Sequence, residues 1–196
     1  MAATGQPGDP KSSAPPPVPP EARAVVDFWR DAGPGLWFAK DAGFDRRFRD
    51  RFLAWHEAAA RGDCDGWIAT PEGALALLLL LDQFPRNAFR GTPRMYATDA
   101  MARVVAARAI AVGADTGVAP ALRQFFCLPF GHSEDPVDQD RSVAFAARLG
   151  EPDLSHARRH RDIIRRFGRF PHRNPILGRA MTVQEQRFLD EGGYSG

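Results

Sequence analysis

A chain of 196 residues, 44% hydrophobic and 26% charged, is long enough to enclose a sizeable core and has the composition of an ordinary globular domain. A formal charge of +2 excludes a nucleic-acid polyelectrolyte; of the 26 basic residues only Lys11 and Lys40 are lysines, a bias that a G+C-rich genome produces without functional cause. Cys64 and Cys127 show no C-x-x-C spacing, which predicts a reducing, cytoplasmic setting, and the longest apolar run, Ala74 to Leu81, falls far short of the ~20 residues of a bilayer span.

Residues 1–20 hold seven prolines and almost no large apolar side chains, the composition of a disordered tail. Helical periodicity follows, predicting a single domain over residues 21–190 and a short tail over 191–196. Glu21 to about Asp31 carries Val25, Val26, Phe28 and Trp29 and breaks at Gly33-Pro34-Gly35. Phe44, Phe48, Phe52 and Trp55 recur at steps of four and three, one face of a helix that stops near Gly62. Thr70-Pro71 and Thr92-Pro93 are helix starts, a cap followed by proline in the first turn; the second predicts a helix from Arg94 to about Val112. Ala119 to about Leu128 is expected to end at Pro129. Asp135-Pro136 opens a helix closed by Gly150, Asp153 to Phe167 makes another closed by Gly168, and Thr182 with Glu185 forms a capping box. No useful stretch alternates with period two. The prediction is all-α, seven or eight helices as stacked antiparallel hairpins.

Three polar stretches interrupt this pattern. In LLDQFPRNAFR an aliphatic helix runs into Asp82, Gln83, Arg86, Asn87 and Arg90, with Pro85 expected to weaken the helix and free carbonyls for side chains. In GHSEDPVDQD, His132 and Glu134 precede a helix start, where a neighbouring carboxylate can tune an imidazole for acid–base work. The stretch from His156 to Arg179 holds eight arginines and one acid, Asp162. His156 and His160 have the i, i+4 spacing of a metal pair, but no Glu follows the first and the surrounding arginines disfavour a cation, so no metal is expected. Arg169, Arg173 and Arg179 lie in or beyond a turn built on Gly168, Pro171 and Pro175, where a solvated helix face does not account for them. FGRFPHRN echoes DQFPRN in its Phe-Pro and Arg-Asn elements.

The motifs LLDQFPRNAFRGTP, HSEDPVDQDRS, HRDIIRRFGRFPHRNPILGR and TVQEQRFL, in this order, resemble the bacterial family called domain of unknown function 924, over about Ala24 to Leu189. The resemblance implies a tetratricopeptide-like right-handed helical superhelix and no assigned activity. The chain departs from the family pattern at Gly131, where a larger or polar residue is usual, and at Met181, where serine is usual.

These observations lead to one expectation with two rivals. Two helix ends, each broken by Phe-Pro, turn toward a shared polar pocket for a small anion. Arginine forks suit carboxylates and phosphates, so Arg86, Arg90, Arg169, Arg173 and Arg179 are the anion ligands. Asp82, Gln83, Asn87 and Asn174 orient the ligand, and His132, Glu134, His160 and His172 are the acid–base candidates, with no cofactor. One rival is a non-catalytic scaffold with a protein partner in its groove. In the other, the polar motifs only cap and cross-link helices. Neither nucleic acid nor a membrane is an expected partner.

Overall fold

Every side chain of Ala74–Leu81 is at most 1% exposed, so the longest apolar run of the sequence is the centre of the molecule. The computed structural model describes residues 16–196, and no strand occurs among them. The expected Pro-rich tail lies outside the described residues as far as residue 15, and Pro20 already opens the first helix.

The α-helices in chain order are α1 (Pro20–Ala32), α2 (Pro34–Trp37), α3 (Ala42–Arg61), α4 (Pro71–Leu78), α5 (Phe84–Ala88), α6 (Asp99–Ala111), α7 (Gln124–Gly131), α8 (Pro136–Leu149), α9 (Asp153–Phe167) and α10 (Val183–Asp190). Predicted caps form, Thr70 accepting from Gly73 N–H and Thr182 with Glu185 completing the capping box, and Asp41, not predicted, accepts from Phe44 N–H. Gly168, at φ +70°, closes α9 in the left-handed conformation. Helix α4 packs against α1, α6 and α7; α3 lies on α5, and α8 bridges α7 and α9. Phe44, Phe48 and Phe52 of α3 present one face to Phe28 and Trp29, with ring centroids 5.3–5.8 Å apart. Each fully buried leucine or phenylalanine here contributes roughly 1.5–3 kcal/mol. Gly73 is a packing requirement: a Cβ there would stand 2.0 Å from the Trp67 carbonyl oxygen.

Three boundaries differ from the sequence expectation. The helix expected from Arg94 to Val112 is split into a 3₁₀ turn, Pro93–Tyr96, and α6, because Thr98 turns its hydroxyl to the Leu81 carbonyl instead of capping. Pro129 lies inside α7 and does not end it; burial of Phe125, Phe126, Cys127 and Phe130 outweighs the lost backbone bond. Pro85 does not end its helix either. The chain passes from α4 through a wide π turn, Leu79–Gln83, into α5. The two echoing motifs are therefore different structures. The first is a helix interior; the second is a 3₁₀ turn, Pro171–Arg173, after a helix end.

Candidate functional site

The π turn places the first set of polar groups. Proline at position 85 has no N–H, and widening the turn leaves consecutive carbonyls without helical donors. Side chains take them: His56 Nδ1 bonds Leu80 O at 2.9 Å, the Thr98 hydroxyl donates to Leu81 O, and Arg86 Nη1 donates to Asp82 O at 2.6 Å. Asp82 itself points inward and is 1% exposed. Its carboxylate meets His132 Nδ1 at 2.8 Å, accepts from Gln83 Nε2 at 2.7 Å, and stands 3.1 Å from Arg86 Nη1. Burial works against its ionisation, but Arg86, His132 and Gln83 outweigh that and hold the carboxyl below its ordinary range.

Arg86 carries a second carboxylate. Its two terminal nitrogens donate to Asp99 at 2.9 and 3.1 Å, so one guanidinium serves two buried aspartates. It also lies 5.9 Å from the centre of the Tyr96 ring. Arg173, from the other motif, lies 4.7 Å from the same ring and 4.5 Å from that of Phe170. Thus Arg86 and Arg173 of the two echoing motifs converge on one tyrosine. Arg173 is 7% exposed, and no hydrogen bond or ion pair reaches its guanidinium among the described residues. Burial and the nearby Arg86 charge lower its pKa.

Two histidines, His160 and His172, lie near this arginine, and a third, His132, lies beside His160. His132 leads from α7 toward α8, its turn pinned by the fully buried Gln139, whose amide donates to Gly131 O at 2.8 Å and Ser133 O at 2.6 Å. The Nδ1–H of His160 donates to Gly131 O at 3.2 Å, and its ring lies 6.5 Å from that of His132. Burial, then the neighbouring His132, pushes His160 down to about 3; burial and then Arg173 push His172 down to about 4. His132 is also lowered, by burial and Arg86, against the opposing pull of Asp82. All three are neutral at pH 7. Tyr194 closes the group, 4.6 Å from the His160 ring and 5.2 Å from His172.

The remaining predicted residues are engaged elsewhere. Asn87 donates to Asp45 at 2.6 Å and Arg90 pairs with the same carboxylate, so both turn to α3. Arg169 forks onto Glu185 at 2.6 and 2.8 Å. Arg179 forks onto Glu134 at 2.6 and 3.0 Å and donates to Asn174 at 2.9 Å. Glu134 also accepts from Phe170 N–H at 2.8 Å, which ties the two motifs' surroundings together but occupies the carboxylate. The expectation that five arginines line one pocket is corrected: carboxylates within the chain claim Arg86, Arg90, Arg169 and Arg179. His156 is exposed while His160 turns inward, so the i, i+4 pair does not converge. Among the described residues no group of three His, Cys, Asp or Glu side chains is placed to hold a metal ion. An open cleft of about 610 Å³ lies beside Asp45 and Asn87. No helix among the described residues is long and apolar enough to cross a membrane.

Sequence reasoning missed Asp99, Gln139, Tyr96 and Tyr194. Asp99 acts on Arg86 13 residues away, beyond local signals, whereas Gln139 pins the turn just before its own helix. A signal existed for the tyrosines: the chain has two against 14 phenylalanines, and both stand in this cluster.

The family described as "Bacterial protein of unknown function (DUF924)" matches residues 25–193. A solved structure of a protein of unknown function from Agrobacterium tumefaciens is 56% identical, with a TM-score of 0.86, covering 87% of this chain and 97% of that one. No curated protein matches the sequence. The expected resemblance is confirmed by a match over nearly the whole helical region, and the chain belongs to the DUF924 family.

Proposed function

We propose that this protein binds a small anion at Arg173, in a cluster completed by Arg86, Tyr96, His132, His160, His172 and Tyr194. One observation carries the reading: a guanidinium only 7% exposed has no acceptor among the described residues. Burying a cation without a partner is costly, and a ligand carboxylate or phosphate would supply one. Tyr96 and Phe170 lie against the guanidinium, so a ligand would meet its nitrogen edge, the geometry of bidentate recognition. The same structure supports a capping role for Arg90, Arg169 and Arg179. The rival scaffold reading has weaker support: the exposed large apolar residues Phe38, Val104, Val112, Val137, Leu177 and Val183 are single positions scattered along the chain. Two buried free cysteines suit a reducing, cytoplasmic setting.

Phosphate or acetate should raise the melting temperature in proportion to the logarithm of its concentration. Arg173→Ala should abolish that rise while the helical circular-dichroism signal persists, and Arg173→Lys should restore it only in part, since a point charge does not replace a fork. An Arg173→Ala protein that unfolds, with no anion effect in the wild type, would make the turn a structural staple and end the site reading.

A further inference from the structure

We infer that Asp82 and His132 form a general-base pair acting on a small monocarboxylate held at Arg173, and that the pair removes a proton from the carbon beside the ligand's carbonyl group. This rests on the anion-site reading above.

The contrast with His56 shows why a structural role does not exhaust His132. His56 is 5% exposed, bonds a backbone carbonyl through Nδ1, and stacks on Phe84 at 4.8 Å; a neutral acceptor is all that burial demands of it. His132 is instead held by an ionised carboxylate that is itself 1% exposed, a costly arrangement whose effect is to fix the Nδ1–H tautomer. That leaves Nε2 as the basic nitrogen, and no hydrogen bond engages it among the described residues. His160 has the same tautomer but leans on a peptide carbonyl, a weaker support for a positive charge.

Local charge sets the ligand class. Arg86 shares its single positive charge between Asp82 and Asp99, and with Arg173 counted the four formal charges sum to zero. A ligand adds its full charge to a neutral group of four, so one negative charge is tolerated better than two. The other neighbours are neutral hydrogen-bonding groups. His172 Nδ1 is buried without a partner among the described residues, which places its proton on Nε2 as a donor, and the phenols Tyr96 and Tyr194 stand against Arg173 and His172. Such donors suit a developing enolate oxygen. Nucleophiles nearby are engaged: Ser133 Oγ accepts from Asp135 N–H, and the Cys127 thiol, pushed up to about 11 by burial, is bonded to Ser142. Proton transfer is the chemistry left.

In the step, the C–H bond breaks and its electron pair passes into the carbonyl group as an enolate. The proton forms an N–H bond at His132 Nε2, and the imidazolium is stabilised by Asp82. Return of a proton from Nε2 to carbon closes the cycle, so the observable is exchange with solvent. No other reactant is consumed.

Pyruvate in D₂O is the probe. Its methyl signal in proton spectra should fade at a rate that saturates with pyruvate and exceeds that of buffer alone. His132→Gln should slow exchange by about 10²-fold or more, with His132→Asn as the second variant, while pyruvate still raises the melting temperature. Acetate should raise it more than phosphate does at equal concentration. Pyruvate binding without exchange in the wild type overturns the base and leaves the anion site standing, as does undiminished exchange in a folded His132 variant. A larger phosphate effect overturns the monocarboxylate class. No thermal response to any of the three anions removes the anion site, and the base with it.

Discussion

Two corners of the molecule grow from nearly the same words in the sequence. At the DQFPRN corner, Asp45 receives both Asn87 and Arg90, and Arg90 donates further to Ala39 O at 3.0 Å. A cleft opens beside it, yet its cation and amide are satisfied within the chain. At the FGRFPHRN corner, Arg169 and Arg179 find carboxylates, while Arg173 finds two aromatic rings and no acceptor among the described residues. An arginine-rich turn is therefore not itself a sign of ligand binding. What distinguishes the second corner is an imbalance: a buried donor left over after the carboxylates within reach have been assigned.

The strongest break in that comparison is at Asp82, whose removal strands partners on both sides of the core. Asp82→Ala should cost about 3–5 kcal/mol in denaturant unfolding, because Arg86 keeps Asp99 but His132 loses its only carboxylate. Recovery of wild-type stability in that variant would show that the buried network is slack.

Acid should act next, through the histidines beside Arg173. Histidines held below their free value are neutral in the fold, so the unfolded chain takes up more protons as pH falls below about 6.5. Stability is fully present above that point and is lost as pH drops toward the folded values, about 4 for His172 and about 3 for His160. Between pH 6.5 and 4.5 His160 alone should account for about 2 kcal/mol of loss. His160→Gln should flatten the stability–pH curve in this window. Asp45→Ala should lower stability by about 1–3 kcal/mol for the buried Asn87 amide left unsatisfied.

The smallest effect sharpens the comparison most, because its sign differs between the corners. Arg173→Met keeps the contacts with Tyr96 and Phe170 and removes an unpartnered charge, so ligand-free protein should gain about 1 kcal/mol, or about 2–4 °C in melting temperature. Arg90→Met should lose a comparable amount or less, since its side chain is 34% exposed. A loss at Arg173 equal to that at Arg90 would mean that Arg173 is balanced through space by Asp99 and Glu134.

Much of the architecture was legible before any coordinates. The four-residue spacing of Phe44, Phe48 and Phe52, the Thr-Pro start at Thr70 and the Thr182–Glu185 box depend on neighbours within a turn or two, and each formed as expected. Burial overrode the local rule at Pro129, while at Pro85 the expected weakening appears as the π turn although the helix continues. Both prolines stay within helices whose apolar side chains are worth more in the core than the lost backbone bond. The candidate residues Asp82, Arg86, His132, His160, His172 and Arg173 were all identifiable as polar groups in apolar or turn settings. Their partners were not. Asp99 reaches Arg86 across 13 residues, Glu134 reaches Arg179 across 45 and His132 reaches Asp82 across 50, separations at which the chain carries no local signal.

By itself, then, the sequence determined an all-helical chain, the membership its motifs announced, and a supply of arginines, amides and histidines at two related turns. Only the tertiary structure decided which of those arginines would be spent on internal carboxylates and which would not. The reason is that helix formation depends on spacing along the chain, whereas charge pairing depends on distances through space that packing alone sets. Arg86 and Arg173 occupy matching places in matching words. One pairs with Asp82 and Asp99, and the other faces two aromatic rings.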